Sequence, residues 1–206
     1  AAPAASGCPG PGRPGVALDH GIRGQSDAWR RALEHLARVA DTDATVLLRG
    51  ESGTGKERFA QLLHRCSTRH GGAFVAINCA ALPDTLLESE LFGHERGAFT
   101  GATGRRAGCF EQAHGGTLLL DEVGEMSATL QSKLLRVLET GTVRRLGAAG
   151  EVRVSVRIVA ATPQEPVPLA GQGGLRPALF YRLNAFPLPR PPRSERAGDT
   201  SDSRGC

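Results

Sequence analysis

The sequence predicts an α/β fold, a three-layer αβα sandwich on a parallel sheet, and three observations carry that expectation. Apolar strand-like runs alternate with helix-period segments from Ser26 to Asn184. A glycine-rich turn, Gly50-Glu51-Ser52-Gly53-Thr54-Gly55, joins the first such strand to a helix opening on Lys56. A later apolar strand, Leu118-Leu119-Leu120, ends on the acidic pair Asp121 and Glu122. Parallel sheets bind ligands at the carboxyl ends of their strands, where both features fall.

Taken in order, Trp29, Leu33, Leu36 and Val39 recur at helical spacing behind Ser26, which is placed to cap the helix. Thr45 to Leu48 is a short buried strand, and Lys56 to Cys66 a helix with Phe59, Leu62 and Leu63 inward. Phe74 to Ile77 reads as a second strand ending at Asn78, followed by a helix from Asp84 to Phe92 that Asp84 caps and Gly93 stops. Thr117 to Leu120 is a third, fully buried strand, and Ser127 to Glu139 a helix presenting Leu130, Leu134, Leu135 and Leu138 on one face. Val152, Val154, Val156 and Ile158 alternate with Arg153, Ser155 and Arg157 ahead of Val159 to Thr162, which predicts one long fourth strand, half exposed and then buried. Pro177 opens a last helix running to about Asn184.

A chain of 206 residues with 40% hydrophobic content supports one domain with a real core. Residues 1–20 are dominated by Ala, Pro and Gly, and residues 187–206 by Pro, Arg, Ser, Asp and Gly, so both ends are expected to be disordered around a core spanning 21–186. The net charge of +4 is spread rather than clustered, so composition implies no nucleic-acid partner. Cys8, Cys66, Cys79, Cys109 and Cys206 are odd in number and form no CxxC pair, which argues against zinc and against a disulfide framework. His94-Glu95 opens like a zinc-protease helix, but Ala98 occupies the second histidine position. No apolar run approaches the roughly 20 residues that span a bilayer, and no secretory signal is present, so the expected compartment is the cytoplasm.

The glycine turn has the composition of a phosphate loop. Without side chains at Gly50, Gly53 and Gly55 the backbone can turn its amides inward around a phosphate, while Lys56 reaches the outer oxygens. The generic pattern places Ser or Thr after that lysine to touch magnesium, whereas this chain has Glu57. Metal coordination then falls to Asp121, with Glu122 orienting the attacking water, since phosphoryl transfer needs alignment and charge compensation more than covalent help. Between these sites lies a glycine-flanked loop with one aromatic residue, Gly97-Ala98-Phe99-Thr100-Gly101-Ala102. On its own chemistry Phe99 reads as a loop anchor folded back on the core.

That hexapeptide, preceded by Glu88-Ser89-Glu90-Leu91-Phe92-Gly93-His94-Glu95, closely resembles the GAFTGA signature of the bacterial enhancer-binding proteins, AAA+ P-loop ATPases that activate sigma-54 RNA polymerase. The resemblance extends from about Gly21 to about Pro192, through the Walker A segment Gly50 to Glu57, Asn78-Cys79-Ala80-Ala81, the Walker B segment Gly115 to Glu122, and Leu134 to Leu138. Glu57 is the family's usual residue after the lysine. The resemblance implies Mg2+-dependent ATP hydrolysis in a ring, usually a hexamer, that drives the loop bearing Phe99 and Thr100 against sigma-54 to open promoters. It further implies that Asn78 restrains Glu122 and that Arg176 and Arg182 serve the ATP of a neighbouring subunit. Six residues apart on a helix, the two arginines would not share one face. Other AAA+ remodellers share the phosphate loop but leave residues 97–102 without a role.

The chain also departs from the family pattern. Pro163 stands after Thr162, where many relatives carry a polar residue that senses the γ-phosphate, and Gln164 is next in line. Past Pro191-Pro192-Arg193 the expected helical lid gives way to polar residues, no sensory domain is expected before Gly21, and no helix-turn-helix follows. These departures lead to two expectations: a truncated or frame-shifted gene product, or an excised segment with a foreign tail. They also keep an alternative function open, a lid-less remnant that binds nucleotide or sigma-54 without productive hydrolysis.

Overall fold

The computed structural model describes residues 27–50, 55–163, 174–184 and 186–189. The expected disorder of 1–20 and 190–206, the Ser26 cap, Glu51 to Thr54 and Gln164 lie outside the described residues. Helix α1 (Asp27–Ala40) leads to β1 (Val46–Arg49), α2 (Lys56–Arg65), β2 (Phe74–Asn78) and α3 (Asp84–Phe92). A two-residue pair, β3 (Gly93–His94) and β4 (Arg106–Ala107), precedes the short α4 (Cys109–Gln112) and β5 (Thr117–Asp121). A 3₁₀ turn (Val123–Glu125), α5 (Ala128–Thr140), the pair β6 (Thr142–Val143) and β7 (Val152–Arg153), then β8 (Arg157–Thr162), α6 (Pro177–Leu183) and β9 (Phe186–Pro189) complete the order.

Five strands form one parallel sheet in the order β2-β5-β8-β1-β9, so chain neighbours are separated in space and connected through helices. Alternation along the strands divides the core. Val46, Leu48, Leu119, Val159 and Ala161 meet Leu36, Phe59 and Leu63 of α1 and α2. Leu47, Leu118, Leu120, Ile158 and Ala160 meet Leu87, Leu91, Leu130, Leu134, Leu179 and Leu183 of α3, α5 and α6 on the other face. The result is the expected three-layer αβα sandwich. At the foot of β5, a Cβ on Gly116 would stand 2.0 Å from Ala73 O, so only glycine admits the close approach of the two chains there.

The helix caps differ in part from expectation. Ser127 caps α5 by accepting the Leu130 amide. Asp84 does not cap α3: Pro83 holds that position, and Asp84 lies in the first turn, where its charge complements the helix dipole. Pro177 stands at the start of α6, and Gly93, at φ 79°, ends α3.

The long fourth strand is two strands. Val152–Arg153 pairs antiparallel with Thr142–Val143 in a hairpin, and Arg157–Thr162 enters the main sheet. Between them Val154 N donates to Gly141 O (2.9 Å) and Ser155 O accepts from Gly115 N (2.8 Å), contacts that bend the chain out of one ladder and into the other. The break resets the alternation, so Arg157, expected outward, is only 1% exposed. Its Nη1 and Nη2 donate to Ala40 O (2.9 Å) and Val39 O (2.7 Å) at the end of α1, where Val39 O also accepts from Thr42 N and Thr42 Oγ1 while Ala40 O depends on the guanidinium. Arg157→Met is expected to cost about 1–3 kcal/mol by leaving Ala40 O without its donor, read as a lower denaturant midpoint at unchanged m-value. A second correction concerns the tail: Pro187, Leu188 and Pro189, assigned to the disordered end, belong to β9. Prolines are compatible with an edge strand because the outer side needs no donors.

Candidate functional site

β1 ends at Arg49, one residue before the glycine-rich segment begins at Gly50. Gly50 and Gly55 have φ of 155° and 84°, values that favour glycine, and Gly50 N donates to Thr162 O at 3.3 Å. Lys56 opens α2 almost fully buried, and its Nζ donates to Gly50 O at 2.9 Å, closing the loop across its base. Glu57 does not join it. Its side chain is exposed on α2 and accepts from Gln61 Nε2 at 3.2 Å.

The acidic pair stands two strands away, at the end of central β5. Asp121 registers with Asn78 of β2, and its Oδ1 accepts the Glu122 amide at 3.0 Å. Glu122 has φ 56° and ψ 42°, the sole non-glycine left-handed residue among those described. Such a conformation costs about 1–2 kcal/mol for a residue with a Cβ, and strain of this kind gathers at functional positions. Burial raises the Glu122 pKa above the usual carboxylate range, with Asp121 adding to the rise and the positive charge of Lys56 opposing it. The influence of Lys56 places the loop lysine and Glu122 in one electrostatic neighbourhood. Asn78 directs its Oδ1 to the Ala80 amide at 2.8 Å, while Cys79 N donates to Asp121 O at 2.9 Å. Asn78 thus adjoins the acidic pair through the backbone, its side-chain oxygen turned to the next loop.

The GAFTGA segment crowns the β3–β4 hairpin, where Gly97 N donates to Ala102 O (2.9 Å) and Ala102 N to Phe99 O (3.0 Å). Phe99 is 39% exposed and meets His94 edge-on at 5.0 Å between centroids, so it is anchored on one side and open on the other. Thr100 and Gly101 are exposed at the tip, and Ala102 is buried. His94, the zinc-like residue, shares a buried hydrogen bond with Ser89 (2.8 Å).

A brace beneath this loop went unseen in the sequence. Leu146, beyond β6, exchanges hydrogen bonds of 3.0 Å with Gly93 O and Glu95 N, and a Cβ on Gly147 would approach Ala98 Cβ to 3.0 Å. Arg145, nearly buried, donates Nε to Glu111 at 2.7 Å and Nη1 to Glu95 at 2.8 Å, with Nη2 also on Glu111. This hydrogen bonding holds the Glu111 pKa below its ordinary value. The stabilisation it brings is complete above the ordinary Glu pKa and lost as pH falls through the depressed one. Arg145→Met is therefore expected to flatten the acid limb of a stability–pH profile measured by thermal unfolding.

Arg176 and Arg182 frame α6. Arg176 is its N-cap, one residue before the helix proper, and Arg182 lies in its last turn. Both reach α5, Arg176 through Ser132 Oγ and Arg182 Nη2 through Leu138 O at 3.0 Å. Gln131, fully buried, pins the start of this arm. Its Nε2 donates to Met126 O and Gly174 O (2.9 Å each), and its Oε1 accepts the Arg176 amide (2.8 Å).

Burial pushes the Cys79 thiol up to about 12 and Cys109 to about 11, so neither is primed for thiolate chemistry. Among the described residues no helix is long and apolar enough to cross a membrane.

Residues 22–189 match the family described as the Sigma-54 interaction domain. Among curated proteins, the chain is 54% identical over 185 residues to the nitric oxide reductase transcription regulator NorR1 of Cupriavidus necator, covering 90% of this chain and 36% of that protein. It is 53% identical over 178 residues to a Nif-specific regulatory protein of Rhizobium leguminosarum bv. trifolii, covering 86% of this chain and 50% of that protein. The chain thus spans about a third to a half of these relatives. Among solved structures, NtrX from Brucella abortus in complex with ATP gives a TM-score of 0.79 at 36% identity, over 86% of this chain and 38% of that one. The P-loop NTPase domain of a sigma-54 activator from E. coli gives 0.55 at 20% identity over 82% of this chain and 97% of that one, a likeness of fold.

Proposed function

The chain belongs to the sigma-54 interaction domain family, the AAA+ core of sigma-54-dependent activators, and from that footing we propose that it is a magnesium-dependent ATPase acting on sigma-54 RNA polymerase. The observation that carries this reading is Glu122, held left-handed at the end of β5, its pKa raised by burial and drawn down by the nearby charge of Lys56. A strained carboxylate beside a phosphate loop is suited to align water against a terminal phosphate. The ATP and ADP bound by the NtrX structures support a nucleotide in the same fold.

In this reading the amides of residues 50–55 cradle the phosphates and Lys56 draws in their outer oxygens. The Asp121 and Glu122 carboxylates have no ion-pair partner among the described residues, and burial disfavours charge on Glu122, a donor set that fits a divalent cation. Asp121 would hold magnesium, which when bound compensates the charge on the transferring group. Glu122 orients the water and accepts its proton. Asn78, one strand over, senses the rearranged Glu122, and α3 carries the change to Phe99 and Thr100. Arg176 and Arg182 complete the site of a neighbouring copy in a ring, which makes hydrolysis depend on assembly. A protein acting on the polymerase in this way would do so in the cytoplasm.

Pro163 favours a second reading, nucleotide binding without productive turnover, because the residue following β8 offers no polar side chain to a γ-phosphate. Mg-ATP turnover per subunit, measured across protein concentration beside nucleotide affinity, decides between the two. Specific activity that climbs with concentration supports the ring ATPase. Binding at a flat, negligible rate supports the second reading, and absence of binding defeats both. For the partner, immobilised sigma-54 is expected to capture wild type in the presence of nucleotide and to lose Thr100→Ala; equal capture would remove the loop from the contact.

A further inference from the structure

Arg49 is the last residue of β1, and its backbone is held from both sides, in register with Thr162 of β8 and Pro189 of β9. The next residue, Gly50, accepts from Lys56 Nζ and donates its amide to Thr162 O. The root of the phosphate loop is therefore built into the same backbone as Arg49. Strand alternation turns Arg49 to the sheet face it shares with Leu47, the face covered by α5 and α6. There its guanidinium lies 5.9 Å from the Phe180 ring centroid and donates Nη2 to Asn184 Oδ1 at 2.9 Å. Its Nε, like that of Arg157, is buried with no hydrogen-bond partner among the described residues. Open buried donors are exceptional in folded proteins, and among the described residues no carboxylate pairs with this cation.

Phe180 and Asn184 belong to the element that carries the two arginines. Helix α6 has seven residues, so whatever holds its ends sets its tilt. Gln131 holds the amino end, and Arg49 holds Asn184, the C-cap. The guanidinium groups of Arg176 and Arg182 rest on α5 through exposed hydrogen bonds, which exchange readily for another acceptor. The part-buried ties therefore aim the helix, while the exposed ones only park its arginines.

We propose that Arg49 is a positioning residue that ties the root of the phosphate loop to α6, so that nucleotide in the loop sets where Arg176 and Arg182 stand. The proposal rests on the ATPase reading above. Its spare donor lets the guanidinium take a second acceptor when the loop changes shape, and so supplies two arrangements of one link.

Amide hydrogen exchange on the 206-residue chain with and without Mg-ADP tests it, reading peptides over 55–65 and 175–184. Wild type is expected to slow over both segments. Arg49→Met and Asn184→Ala, which cut the link from opposite ends, are each expected to keep the response over 55–65 and lose it over 175–184. The double variant should lose no more than either single one. If 55–65 never responds in wild type, no nucleotide is held, and the ATPase reading falls together with this one. If 55–65 responds while 175–184 is indifferent in wild type, or still responds in both single variants, the link alone is overturned.

Discussion

Glu122→Gln will hold nucleotide about as well as wild type, turn it over roughly 10²–10⁴-fold more slowly, and unfold at a higher temperature. The amide keeps the shape of the carboxylate but cannot accept the proton of the attacking water. The gain in stability follows from the raised pKa of Glu122. A carboxyl whose folded pKa lies above its unfolded value stabilises the fold at pH below the unfolded pKa, and that contribution disappears as pH rises through the folded one. At neutral pH the charged group is therefore a liability that glutamine removes. Glu122→Gly should raise the melting temperature as well, since glycine adopts φ 56° without the Cβ clash. Scanning calorimetry and single-turnover rates check both expectations, and an unchanged rate in Glu122→Gln would remove the residue from the chemistry.

In the proposed ring, Arg182→Ala is expected to lower turnover by roughly 10³–10⁵ while nucleotide affinity stays intact, because there the guanidinium would serve a site on another copy. Lys56→Ala will fail for the opposite reason, through its own phosphate loop. Mixed together, the two inactive variants are expected to recover part of the wild-type rate, since an intact loop can then face an intact arginine. The competing role is visible in the structure: Arg182 donates to Leu138 O near the end of α5, where basic side chains often satisfy open carbonyls. If that were its whole purpose, Arg182→Ala would melt earlier at unaltered specific activity, and mixing would restore nothing.

The parts of this protein that were readable in advance are those whose signal is local. Lys56 to Arg65 and Ala128 to Thr140 announce themselves through apolar periodicity, and Thr117 to Asp121 through an unbroken buried run closed by acids. The two-residue ladders carry no such signal, because a pair like Gly93–His94 with Arg106–Ala107 depends on contacts made elsewhere. The alternation from Val152 to Ile158 misled for a related reason: period two persists across a bend, so two strands read as one. Arg145, Gln131 and Arg49 look like ordinary polar residues in sequence. Their roles exist only once Glu95, Arg176 and Asn184, between 45 and 135 positions away, have been brought within hydrogen-bond reach. Glu122 was legible as an acid but not as a strained one, since its φ is imposed by the turn that leaves β5.

Phe186–Pro189, the border strand among the described residues, has a consequence for how a second chain could join the sheet. Two of its four residues are prolines, with no N–H to offer a newcomer, so that margin is a poor template for recruiting a further strand. Fusion of neighbouring sheets into one continuous ladder is thereby discouraged on that flank. Partners approaching from there must be gripped by side chains, a kind of joint that can open and re-form without unzipping the backbone.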